Sequence, residues 1–180
     1  MAIPAPARIE PLADDEWPEE FDNPKILKVN VIATLAKHAD LFKSWNWFAG
    51  YILNRTEITK REVEILILRT GWNRQSDYEW GQHAIIGRRA GITEDELIAI
   101  AKGPEAGSWS DKERNLLRAA DELFADSEIS DATWAALASD YSDNQMMDII
   151  MVVGQYSLVC MFLKSVRVQL DDGVEGLPSL

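Results

Sequence analysis

The stretch TKREVEILILRTGWNRQSDYEWGQHAIIGRRAG, residues 59–91, decides the fold. Thr59 is followed three residues later by Glu62, the spacing at which a hydroxyl and a carboxylate cap a helix start reciprocally. Behind them Val63, Leu66, Ile67 and Thr70 recur at three- and four-residue steps to about Trp72, the period of a helix. Asn73 to Gln75 reads as a turn. Ser76 or Asp77 then caps a second helix over about 77–90, and Gly91 is a natural left-handed stop.

The same reading extends outward in both directions. Upstream, Leu41, Trp45, Phe48, Ala49 and Ile52 form one stripe of a helix over about 40–53. Ile26, Val29, Ile32, Ala33 and Ala36 form another, opened by Asn23-Pro24 with proline at the first helical position. Downstream, Thr93 with Glu96 and Ser110 with Glu113 are further capping boxes, and Gly103-Pro104 breaks the chain between their helices. Ser130 or Asp131 starts a short helix to about Ser139, and Ser142 or Asp143 starts a long one to about Leu170. No alternating strand pattern appears, so the expected fold is an all-α helical bundle with short connections. One domain is expected over 24–172. It is preceded by an extended proline- and acid-rich arm, 1–23, ordered only if it packs on a neighbour, and followed by a tail, 173–180.

A chain of 180 residues with 47% hydrophobic content can bury a sizeable core. Its net charge of −12 argues against nucleic acid, whose phosphates an acidic surface repels, and against anionic membranes. Cys160 is the single cysteine, so neither an internal disulfide nor a Cys-x-x-Cys redox pair can form, and its apolar surroundings point to inert packing. The N-terminal residues lack a basic region followed by an apolar run, and a cytoplasmic location is expected. Met146 to Leu163 is apolar enough to suggest a membrane span. Asp148, Gln155 and Tyr156 interrupt it, so a buried helix at the core or a subunit interface is the better reading.

Histidine is the natural acid–base group near neutral pH. His38, beside Lys37 and Asp40, is expected to sit at the end of the first helix, against its dipole. His83 is four residues beyond Glu79, so the two share one helix face and can touch. Tyr78, Trp80 and Trp72 crowd the start of that helix, and Gly81 allows close approach of another backbone or a ligand.

Two segments, Glu62 to Trp72 and Ser76 to His83, together resemble the central motif of the carboxymuconolactone decarboxylase and alkylhydroperoxidase D superfamily. The resemblance runs over most of residues 25–178, including Arg118 to Leu123 and the ending from Val153-Gly154-Gln155-Tyr156 to Leu170-Asp171-Asp172-Gly173. In the peroxidase branch a glutamate precedes a Cys-x-x-Cys pair and a histidine follows. By spacing these fall on Glu64, on Ser76 and Glu79 in place of the cysteines, and on His83. Serine and glutamate cannot cycle between thiol and disulfide, so thiol peroxidase chemistry is not expected.

What remains is an acid–base set, and resemblance to the decarboxylase branch implies catalysis without metal or organic cofactor. The implied reaction is carbon–carbon cleavage of a small carboxylated lactone or aromatic-derived acid. His83 would donate or shuttle the proton, with Glu79 or Glu64 orienting it. Arg69 would hold the substrate carboxylate or pair with a glutamate, and Trp72, Tyr78 and Trp80 would wall the pocket. One histidine with two glutamates is thin for a zinc site. The same residues would serve an isomerase, hydratase or lactone hydrolase, and a non-catalytic helical oligomer is the reading from another class. Resemblance also implies a homo-oligomer of two, three or six chains. Trp45 and Trp47 are assigned to core or interface packing, Asp121-Glu122 to a solvated or capping pair, and Gln155 and Tyr156 either to the site or to a neighbouring helix.

Overall fold

The computed structural model describes residues 5–21 and 26–180. Among them are the helices α1 (Asn30–Leu35), α2 (Ala39–Asn54), α3 (Lys60–Asn73), α4 (Asp77–Arg89), α5 (Glu94–Lys102), α6 (Asp111–Ala125), α7 (Asp131–Ala138) and α8 (Asp143–Val166), and no strand. The fold is an all-α bundle.

Four helices start at Ser or Thr capping boxes, at Thr59, Thr93, Ser110 and Ser142, each hydroxyl accepting from the third backbone N–H of its helix. Such a cap stabilises a helix by about 1 kcal/mol and, being local, fixes the start of the helix independently of the fold around it. Gly91 and Gly103 follow α4 and α5 with φ of +91° and +114°, conformations that favour residues without a Cβ.

α3 is the axis of the bundle. Every residue from Glu62 to Gly71 is buried, and α4, α5, α6 and α8 all pack on it. A helix with no solvent face must lie inside, which leaves the charged residues it carries to find partners there. α8 has the length and mean hydropathy of a spanning helix, yet 61% of its apolar window is buried by the rest of the chain. What it leaves exposed between residues 147 and 161 is a single stripe, Met147, Met151, Gly154, Leu158 and Met161.

Three expectations are corrected. The first helix spans only Asn30–Leu35: Val29 is extended, and the Asn30 N–H is capped by Asp171 Oδ1 at 2.9 Å, a partner contributed from the far end of the chain. The expected start at Asn23-Pro24 lies outside the described residues. His38 does not close α1 but caps the start of α2, where Nδ1 accepts from the Leu41 N–H at 3.4 Å. α8 ends at Val166, not near Leu170, because Arg167 turns left-handed (φ +60°) and sends the chain back toward α1 and α4.

The terminal segments pack on their own chain. Trp17 and Phe21 are buried with Phe42, Leu35 and Ala36, and the Arg8 N–H donates to the Val166 carbonyl. Beyond α8, the chain passes over the outer face of α4. A Cβ on Gly81 would lie 2.5 Å from the Glu175 carbonyl oxygen and 2.6 Å from Val174 Cγ1, so no larger residue fits beneath this strap. The Leu177 N–H donates to Asp77 Oδ1 at 3.1 Å.

Candidate active site

The packing of α3 on α4 places Glu64 against the His83 ring. Nδ1 donates to Glu64 Oε2 at 2.8 Å, which fixes the tautomer of the neutral imidazole and leaves Nε2 facing the other way. Nε2 lies 3.1 Å from Glu79 Oε1, one helical turn before it on α4. This contact is close but poorly aligned, so the buried Glu79 oxygen lacks a hydrogen-bond donor among the described residues. From α8, the Tyr156 ring meets the His83 ring edge-on at 4.9 Å between centroids. Glu64, Glu79 and His83 are 3%, 3% and 6% exposed.

Burial disfavours charge, and here it acts on two carboxylates around one imidazole. Burial, reinforced by the negative charge of Glu64 and opposed by His83, pushes Glu79 up to about 7. Burial opposes the charge on His83, but Glu64 and Glu79 outweigh it and hold the ring above its ordinary 6.5. Burial, then Glu79 and Glu64, raises Tyr156 far enough to keep it a neutral phenol. Glu79 and His83, adjacent in the cluster, are thus both raised above their ordinary values, the kind of tuning general acid–base work requires.

A cavity of about 400 Å³ opens beside this cluster. α4 supplies Tyr78, Glu79, Gln82 and His83 to its wall, and α8 supplies Tyr156. α2 and the segment leading into α1 close it with Trp45, Asn46, Val29 and Val31. Glu64 is not on the wall and stands behind the imidazole. Asp171 braces the wall from outside, accepting from the Tyr78 hydroxyl at 2.6 Å and from Gln82 Nε2 at 2.7 Å while it caps α1. Among the described residues no group of three or more His, Cys, Asp or Glu side chains is arranged to hold a metal ion. Burial pushes the Cys160 thiol up to about 12, so it is protonated at neutral pH. Ser76, on which the peroxidase branch's first cysteine falls by spacing, is buried beside the Cys160 thiol.

Three residues assigned to the pocket lie elsewhere. Arg69 is five residues after Glu64, about 140° around α3. Its guanidinium holds Asp121 through two bonds, at 2.6 and 2.9 Å, and the carbonyls of Ile100 and Ala101, so it neither pairs with Glu64 nor lines the cavity. Asp121 is accordingly the half-buried ion-pair partner of Arg69, while Glu122 does cap α7 through Ser130 and Thr133. Trp80, about 200° around α4 from Tyr78, faces the C-terminal strap, and Trp72 packs edge-on against it at 5.9 Å. In the other direction, Trp45 lines the cavity although its stripe reads as packing, and Trp47 is exposed under the Arg55 guanidinium. Gln82 and Asp171 both lie in the segments carrying the family resemblance, which was the available signal for them; for Asn46 there was none.

The family model for the carboxymuconolactone decarboxylase family matches residues 39–122, which contain α2 to α4 and all but Tyr156 of the central cluster. Over that segment the chain is similar to the carboxymuconolactone decarboxylase family. Solved structures agree over nearly the whole chain. A peroxidase-related protein from Ralstonia eutropha JMP134 with the AhpD core superposes at TM-score 0.81 with 20% identity, covering 92% of this chain and 93% of that one. A peroxidase-related protein from Silicibacter sp. TM1040 gives 0.83 with 17% identity and 96% coverage of both chains. The debrominase Bmp8 in complex with 2,3,4-tribromopyrrole gives 0.76 with 16% identity, covering 94% and 95%. At these identities the likeness is one of fold. No curated protein matches the sequence.

Proposed function

We propose that the chain is a cofactor-free, cytoplasmic acid–base enzyme that moves a proton to or from a small ring substrate. Glu79 is the group that exchanges a proton with the substrate, His83 Nε2 is the relay beside it, and Glu64 orients and charges the ring from behind. The observation that carries this reading is the buried Glu64–His83–Glu79 cluster opening on a cavity. The debrominase neighbour binds a small flat ring, 2,3,4-tribromopyrrole, which supports a ligand of similar size.

A lyase acting on a carboxylated lactone or aromatic acid remains within the family's range. With Arg69 engaged by Asp121, the geometry favours acid–base chemistry without a carboxylate leaving group: proton transfer in an isomerase, or proton transfer with addition of water in a hydratase or ring-opening hydrolase. Screening cyclic enones, lactones and aromatic catabolites in deuterated water separates these reactions. Deuterium entering product carbon without carbon dioxide release is the expected result. It should vanish in His83→Ala and Glu79→Gln while circular dichroism is unchanged; turnover surviving in both variants would reject the assignment.

Self-association through the exposed α8 stripe is part of the same proposal. Met147, Met151, Gly154, Leu158 and Met161 alternate steps of four and three residues, the seam spacing of paired helices.

A further inference from the structure

The cavity wall holds a buried acceptor with no donor, Glu79 Oε1. The Tyr78 hydroxyl hydrogen and one amide hydrogen of Gln82 are both given to Asp171, and an amide hydrogen of Asn54 goes to the Gly50 carbonyl. Gln82, Asn46, Asn54 and the Tyr156 hydroxyl can each offer a ligand a donor or an acceptor, whereas the ionised Glu79 carboxylate can only accept, and among the described residues its buried Oε1 has no hydrogen-bond donor. An acceptor buried without a donor is costly, and a ligand that brings the donor recovers that cost.

Charge points the same way. With the imidazole protonated, Glu64, His83 and Glu79 together carry one net negative charge inside the protein. No lysine or arginine is among the described residues that line the cavity. A ligand carboxylate beside Glu79 would meet a like charge where water cannot screen it. The rest of the wall is apolar or aromatic, with Phe42, Trp45, Ala49, Tyr156 and Val159 suited to a flat hydrocarbon surface.

We infer that the cavity takes uncharged, flat ring compounds that donate an N–H or O–H to the Glu79 carboxylate, and turns away ring carboxylates of the same size. This rests on the acid–base reading of the site and narrows its substrates to neutral phenol-, pyrrole- or indole-like rings and their cyclic enone tautomers. Such a ring, once its N–H or O–H is engaged by Glu79, is placed for the proton to return at a ring carbon, with no change in oxidation state and no leaving group.

Matched ligand pairs test the inference on the full chain. Binding of indole and of indole-2-carboxylate, and of phenol and of benzoate, is measured by calorimetry near pH 8, with the ligand-induced rise in Tm as a second readout. The neutral member of each pair should bind at least tenfold more tightly. Glu79→Gln should weaken the neutral ligands severalfold and narrow the gap, and the wild-type comparison stands by itself if that variant does not fold. Carboxylates binding as tightly as their neutral partners would overturn the inference and leave the acid–base reading standing. Binding of neither class would take both down.

Discussion

Glu79 supplies a stability test that a surface carboxylate would fail. Its pKa is raised from the ordinary 4.5 to about 7, so between those values the folded chain holds more of a proton there than the unfolded chain. Stability falls with rising pH wherever the folded state binds more protons. The contribution of Glu79 is therefore complete below about pH 4.5 and is lost as pH climbs to about 7. The interval from 4.5 to about 7, at 1.36 kcal/mol per pH unit, amounts to about 3 kcal/mol. That shift already includes the opposing attraction of His83. His83 acts in the same direction: its value is raised too, so its stabilising charge is whole below 6.5 and is lost as pH rises through the folded value. The Glu79→Gln variant isolates the first effect, since an amide does not titrate and its packing cost is the same at every pH. Urea unfolding, followed by the fluorescence of the seven tryptophans, gives the stability of both proteins from about pH 5 to about pH 8. The wild-type advantage should shrink by about 1–3 kcal/mol across that range. A difference that stays flat would refute the buried carboxylate of raised pKa and the catalytic reading built on it.

Other perturbations should act on separate parts of the molecule. Arg69→Met leaves Asp121 with the Asn73 amide alone and two buried carbonyls without this donor, and should cost about 1–3 kcal/mol in urea unfolding, while ring binding in the cavity is unchanged because Arg69 does not line it. Gly81→Val drives a side chain into the Glu175 carbonyl and should free the strap, seen as rapid proteolysis beyond Val168 and a loss of about 1–3 kcal/mol. Leu158→Glu places a charge in the exposed α8 stripe and should shift sedimentation velocity toward a single chain, with the circular dichroism of the wild type.

Which features were legible in the sequence follows from how local their causes are. The starts of α3, α5, α6 and α8 are written in four residues each, and those boundaries agree with the structure. The start of α1 and the end of α8 are not local: Asp171 caps a helix some 140 residues away, and the turn at Arg167 makes that reach possible. The same division holds at the site. The Glu79–His83 contact is an intrahelical spacing, whereas the Glu64–His83 bond needs α3 and α4 to pack, and only the family resemblance suggested it. Arg69, Trp72 and Trp80 lie near the motif in sequence, but a helix sends neighbouring residues in different directions. Periodicity alone does not say which direction meets the cavity. Trp45, Asn46 and Tyr156 reach it from helices far along the chain.

The strap over Gly81 has a consequence for how the molecule is made. α4 carries Glu79 and His83 on one side and receives residues 174–177 on the other, and Asp171 ties α1 to the same helix. During vectorial synthesis the earlier helices can condense first, but the outer face of α4 stays bare until the segment after α8 has left the ribosome. The cavity wall is thus among the last regions to become rigid. A nascent chain halted before Asp171 would hold most of the bundle and lack a finished pocket.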